Sequence, residues 1–154
     1  MVIVEVENGK KKAIIIREAE TEDFKLLTKK RFSFVWKSFR ASTTIYKLQI
    51  VGEDGILGVA GLIDWPAEKR IEIKLLASSK ENIGRQKIYD GIAGCLIAFT
   101  CRLAASEYGS EACVSLVPKT ELIRHYMQKY HMEHGGWQLY LEGNNLIKIF
   151  KEYL

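Results

Sequence analysis

Residues 91 to 108 constrain this 154-residue chain more than any other stretch. They open as Gly91-Ile92-Ala93-Gly94-Cys95-Leu96-Ile97-Ala98-Phe99-Thr100-Cys101 and run on to Tyr108, apolar on nearly every side. A helix without a polar stripe cannot lie on a surface, so a sheet must cover it. The apolar run is too short to span a bilayer, and Gly109 ends the helix.

The sequence supplies that sheet on both sides. Val2 to Val6 and Ala13 to Ile16 are β-branched runs separated by Glu7-Asn8-Gly9, and Asn-Gly is a strong hairpin signal. Thr21 to about Phe39 reads as a helix, with Thr21 as its N-cap and Glu22 and Asp23 in its first turn. Three strands in meander order follow: Thr43 to Val51, Ile56 to Asp64 and Arg70 to Ala77. In the third, Ile71, Ile73 and Leu75 alternate with Glu72 and Lys74, a period-two pattern with one face buried. After a polar stretch from Ser78 to Asp90 comes the apolar helix. A short buried strand from Ala112 to Val117 follows, then a helix from Pro118 to about Met132. Trp137 to Leu141 reads as a strand, and a closing helix capped by Asn144 or Asn145 runs through Leu154. Strands alternating with helices in the second half imply a mixed sheet with crossover helices on its faces.

Length predicts a single domain over residues 1–154. A hydrophobic share of 47% with 27% charged residues fits a packed protein and excludes a disordered one. The N-terminus turns charged after four residues (MVIV, then Glu5), unlike a secretory signal. The expectation is a soluble, cytoplasmic protein without membrane attachment.

Lysine and arginine outnumber aspartate and glutamate by 23 to 19, which favours anionic partners without naming them. The basic clusters Lys10 to Lys12 and Lys29 to Arg31 read first as solvated faces or loops. Cys95, Cys101 and Cys113 are odd in number and show no CxxC spacing, so buried free thiols in a reducing compartment are expected. His125, His131 and His134 lack the cysteine or carboxylate companions of a metal motif, and no metal is expected.

The chemistry is carried by residues 70 to 130. The polar loop ends in Gly91-Ile92-Ala93-Gly94 as the buried helix begins. Small residues there let backbone N–H groups approach a ligand, and the helix N-terminus adds about half a positive charge. Such a cradle suits a phosphate or pyrophosphate, with Arg85 and Lys87 just upstream. A tight loop packed closely for structural reasons has the same sequence.

With Ile88-Tyr89-Asp90-Gly91-Ile92-Ala93, this region resembles the GNAT N-acetyltransferase superfamily. That family carries Q/R-x-x-G-x-G/A at the start of its central helix. Gly91-Ile92-Ala93 supplies G-x-A, while Ile88 stands where glutamine or arginine is usual, with Arg85 and Gln86 nearby. The loop also carries Asn82-Ile83-Gly84-Arg85 as extra turn. The resemblance continues through Val114-Ser115-Leu116-Val117 and Leu122 to Tyr130. Tyr126 takes the position of the family's tyrosine, and Lys119 and Leu122 replace an asparagine and an alanine.

The resemblance implies an α/β (α+β) fold with a mixed, mostly antiparallel sheet of about six to seven strands, flanked by helices and splayed at its centre. The strand Arg70 to Ala77 would part from Ala112 to Val117. Leu75, Leu76 and Ala77 would pair with the pantetheine arm of acetyl-CoA as an added strand. A main-chain amide of that strand would face the thioester carbonyl. The implied cosubstrate contacts are Leu75, Leu76, Ala77, Asn82, Gly84, Arg85, Gln86, Lys87, Gly91, Ile92, Ala93 and Gly94. The implied catalytic residues are Tyr126, as the acid for the departing thiolate, and Glu72, as a base acting through water. Tyr126 could equally be a packed core tyrosine, and Glu72 an exposed strand glutamate. Around Trp36 and Phe39 the resembling proteins border an acceptor pocket, where Arg40 could receive a carboxylate.

Three functions are therefore weighed. The first is an acetyl-CoA-dependent N-acetyltransferase acting on a primary amine by direct attack in a ternary complex. The second is a GNAT-like module that binds acyl-CoA without transfer. The third, ranked last, is a basic nucleic-acid-binding domain, because no nucleic-acid motif accompanies the charge. A homodimer is common in the resembling family.

Overall fold

The computed structural model describes residues 1–34 and 41–153. Residues 35–40 and 154, which include Trp36, Phe39 and Arg40 and the end of the expected first helix, lie outside the described residues.

β1 (Val2–Glu5) and β2 (Lys11–Glu18) form an antiparallel hairpin in which Val2 faces Ala13 and Val4 faces Lys11. Gly9 takes a φ of +70°, and the Asn8 side chain accepts the Lys10 N–H at 2.9 Å, which is the turn chemistry of Asn-Gly. The next segment departs from the expected helix. A 3-10 turn spans Thr21–Lys25, and a single helical turn, α1 (Lys29–Phe32), follows. Glu20 rather than Thr21 caps the 3-10 turn, its N–H donating to Asp23 at 2.7 Å. The reason is tertiary. Asp23 is buried and pairs with Lys47 Nζ at 2.7 Å, which pins the turn to the sheet. Thr28 starts α1 afresh by accepting the Arg31 N–H.

The meander is β3 (Thr44–Ile50), β4 (Ile56–Trp65) and β5 (Arg70–Ser78), all antiparallel. β6 (Tyr89–Asp90) precedes α2 (Ile92–Tyr108), and α2 crosses over to β7 (Cys113–Leu116), which lies parallel to β5. The expected helix after Pro118 begins as a 3-10 turn, Thr120–Leu122, and continues as α3 (Ile123–Tyr130). His131, left-handed at φ 58°, stops it. β8 (Glu133–Gly135), β9 (Gln138–Glu142) and α4 (Gly143–Glu152) complete the chain. The strand order is β6-β1-β2-β3-β4-β5-β7-β9-β8.

Among the described residues the sheet thus has nine strands rather than six to seven. The two unexpected ones, β6 and β8, are too short to register an alternation. As the apolar pattern requires, α2 is covered. Leu96, Ile97, Ala98 and Cys101 have no exposed surface, and they pack between Ile71, Ile73, Val114 and Leu116 of the sheet and Leu146 and Ile149 of α4. Full burial of a side chain the size of Leu96 or Ile97 stabilises the fold by about 1.5–3 kcal/mol. Leu27, Phe32, Ile45, Ile56 and Val59 form a second cluster on the α1 side. No helix among the described residues is long and apolar enough to cross a membrane.

β5 carries one irregularity that shapes everything near the site. Leu62 faces Ile73 and Gly61 faces Leu75, so Lys74 is an extra residue, a β-bulge. The bulge resets which face each side chain takes. Ile71, Ile73 and Leu76 pack under α2, whereas Leu75 and Ala77 pack with the α1-side cluster. The expected shared face of Ile71, Ile73 and Leu75 therefore breaks at Lys74.

Candidate functional site

Four register pairs, Arg70–Cys113 through Ile73–Leu116, join β5 to β7. β7 then ends, while β5 runs on from Lys74 to Ser78. The sheet opens there as a fork. A cavity of about 500 Å³ fills the fork, with Lys74 to Ser78 on one arm and Leu116 to Lys119 on the other. Tyr126 and Leu122 close it from the α3 side, and Phe32 and Phe34 from the α1 side. Ser78, Ile83, Ala93 and Leu122 also line a second cavity of about 500 Å³ that reaches the N-terminus of α2. With these four residues in common, the two spaces adjoin and together make up a channel.

At its far end, Gly91 has a φ of +101°, a left-handed conformation that other residues adopt only under strain. No side chain caps α2, and its first intrahelical bond runs from the Cys95 N–H to the Gly91 carbonyl. The preceding amides therefore have no acceptor within the helix and point along the axis toward the second cavity. Lys87 and Lys129 line this cavity, with Asp90 the one carboxylate among the lining residues. Lys87 Nζ lies 2.8 Å from Asp90, and that hydrogen bond holds the Asp90 carboxyl below its ordinary value. The end of the channel is thus positive overall.

Of the residues singled out from sequence, Leu75, Leu76, Ala77 and Tyr126 meet in the first cavity, and Asn82, Gly84, Lys87, Gly91, Ile92 and Ala93 in the second. Asn82 is nonetheless committed to the loop: its amide donates to Ser79 Oγ at 2.9 Å and its carbonyl accepts the Tyr89 N–H at 2.8 Å. The Ile88 N–H is also taken, by the Glu81 carbonyl. Of the expected cradle, the Ile88 amide is thus taken by protein, whereas Gly84, Lys87 and the first turn of α2 line the second cavity.

Four residues stand elsewhere. Arg85 and Gln86 are exposed on the outer loop and line neither cavity. A Cβ on Gly94 would overlap the Tyr153 ring, so its smallness makes room for protein rather than for a ligand. Glu72, expected on an exposed face, is 7% exposed and lines neither cavity. It accepts the Trp65 indole N–H at 3.0 Å and sits 3.9 Å from Arg70, which also donates to Ser115 Oγ at 2.7 Å. This polar cluster ties β4, β5 and β7 together at the base of the fork.

Sequence reasoning assigned no binding role to Ser78, Ile83, Lys129 and Tyr130, and weighed His125 only as a metal candidate or a surface histidine; all five line the second cavity. A helical spacing held part of the signal. Leu122, His125, Tyr126 and Lys129 recur at three- and four-residue steps and form one stripe toward the channel. Tyr126 is half-buried, and burial raises its hydroxyl pKa above the ordinary phenol value. His125 and His131 bracket most of α3 and His134 lies in β8; no group of three His, Cys, Asp or Glu side chains among the described residues could hold a metal.

No family model and no curated sequence matches the chain. Solved structures do. A chimera of the Vibrio cholerae spermidine N-acetyltransferase SpeG and hSSAT superposes with a TM-score of 0.66 at 10% identity, over 88% of this chain and 98% of that one. The fold is that of the GNAT acetyltransferases. A GNAT family acetyltransferase from Elizabethkingia anophelis with acetyl-CoA bound gives a TM-score of 0.54 at 15% identity, over 84% and 97% of the two chains. N-acetylglutamate synthase from Neisseria gonorrhoeae, complexed with coenzyme A and L-arginine, gives 0.63 at 14% identity, over 88% of this chain and 34% of its own. The parting of the strands 70–77 and 112–117 that the resemblance implies is present where β5 runs on past its last β7 pair, Ile73–Leu116.

Proposed function

We propose that this chain is an acyl-CoA-dependent N-acetyltransferase that moves an acetyl group from acetyl-CoA to a primary amine in a ternary complex. The fork between β5 and β7 carries the proposal, because its arm from Lys74 to Ser78 runs on past the last β7 pair at Ile73. An extended pantetheine arm fits there as an added strand. The open first turn of α2, with Lys87 and Lys129, suits the diphosphate at the channel's other end.

In this reading the amine nitrogen bonds to the acetyl carbon as the carbon–sulfur bond breaks. Tyr126 gives its hydroxyl proton to the departing thiolate, and its raised pKa keeps that proton in place at neutral pH. Glu72, held by Trp65 and Arg70, steadies the fork, and the proton lost by the amine passes to water.

A module that binds acyl-CoA without transfer is the second reading. Ile88 at the usual glutamine or arginine position, with Arg85 and Gln86 turned outward, favours it. One experiment addresses both. Thermal unfolding is followed with acetyl-CoA, coenzyme A or ATP, alongside thiol release from acetyl-CoA over an amine panel. Stabilisation by the first two ligands but not ATP, with thiol release, supports transfer. Stabilisation without release supports the binding module. No stabilisation removes both.

A further inference from the structure

Among the described residues, every charged side chain that lines the fork is a cation. Lys74 comes from the bulge on β5 and Lys119 from the loop after β7, so each arm supplies one. The remaining lining residues are apolar or neutral, and no aspartate or glutamate is among them. Neither lysine makes an ion pair with a described residue, although Lys47, Lys69, Lys87, Arg31 and Arg70 all do. The segment 35–40, Val-Trp-Lys-Ser-Phe-Arg, contains no carboxylate either. The nearest carboxylate along β5, Glu72, is already occupied by Trp65 and Arg70.

From this charge pattern we infer that the acceptor is an amine that also bears an anionic group, a carboxylate or a phosphate, and that Lys74 and Lys119 receive that group. The inference rests on the N-acetyltransferase reading above and specifies its acceptor. Two effects favour such a substrate. An anion at the fork is attracted by two ammonium groups that have no ion-pair partner among the described residues, whereas a polyamine would meet like charge on both arms. The same lysines also disfavour the protonated form of the incoming amine, so more of it is the neutral nucleophile that transfer requires. The chain would therefore differ in acceptor class from the spermidine N-acetyltransferase whose fold it shares.

The test compares acetylation of matched amines by thiol release at saturating acetyl-CoA. The panel holds α-amino acids and amino-sugar phosphates, their uncharged amide or dephosphorylated counterparts, and spermidine. The expected result is a kcat/KM about tenfold or more higher for an anionic amine than for its uncharged counterpart, with spermidine poorest. In Lys74→Gln/Lys119→Gln this preference falls about tenfold, and the acidic limb of kcat moves to higher pH, which a purely structural role would not produce. Spermidine or uncharged amines used as well as anionic ones overturn the inference, as does a preference unchanged in the double variant. No turnover of any anionic amine also overturns it. If calorimetry detects acetyl-CoA binding in these cases, the coenzyme reading stands and only the acceptor class fails. Absence of acetyl-CoA binding overturns both.

Discussion

Tyr126 lines the channel and is half-buried, and that burial raises its hydroxyl pKa. A phenol in that state is a proton donor, not a base, across the neutral range. Tyr126→Phe removes the donor and almost none of the volume. Its kcat should fall about 100-fold with acetyl-CoA affinity within about twofold, measured by steady-state kinetics and calorimetry. In the wild type, kcat should show no loss attributable to Tyr126 until pH exceeds about 10, the ordinary phenol value. The thiols are quiet for a related reason. Burial raises Cys95 to about 11 and Cys101 to about 12, leaving little thiolate to react at neutral pH.

At the scale of elements, α2 depends on contacts that differ at its two faces. Ala93 looks into both cavities, while Gly94, one residue on, lies against Tyr153 beyond the end of α4. Ala93→Glu places a carboxylate at the helix end where an anion is favoured, and should weaken acetyl-CoA binding at least tenfold by calorimetry. Gly94→Ala should instead cost about 1–3 kcal/mol of stability through overpacking, read from denaturant midpoints. In a Tyr153→Ala background that cost should vanish, since alanine is the better helix former once the ring is gone. A cost that persists would mean the ring is not what restricts Gly94. The glycines around the helix start looked alike in sequence. Gly91 is needed for a left-handed turn and Gly94 for a neighbour's ring, and the difference depends on where Tyr153 comes to rest.

For the molecule as a whole, the segment before β3 is tied to the sheet by the Asp23–Lys47 pair, both partners about nine-tenths buried. Burial alone raises the Asp23 pKa, but hydrogen bonds from Lys47 and the Glu20 N–H outweigh it, so the carboxyl lies below its ordinary 3.8. Because the folded value is the lower one, the pair's contribution is present above about pH 4 and is lost as pH falls through the folded value. Asp23→Asn leaves Lys47 without its partner and should cost about 3–5 kcal/mol near neutral pH. It should also flatten the acid limb of the stability curve, measured by urea unfolding at several pH values. A limb as steep as the wild type's would assign the acid loss to other carboxylates.

Local pattern by itself determined a great deal here. The Asn8-Gly9 hairpin, the three-strand meander, the short strand at residues 113–116 and the burial of α2 follow from turn chemistry and hydrophobic period, which depend on neighbours in sequence. Only the tertiary structure decided the rest. The bulge at Lys74 turned Leu75 to the opposite face and left a lysine at the fork. Trp65 and Arg70 claimed Glu72, and Asn82 claimed the amide of Tyr89. One added residue reverses every later side chain in a strand, and a polar group's role depends on which distant partner reaches it first. Neither leaves a mark in composition or period, because both arise only where remote segments meet.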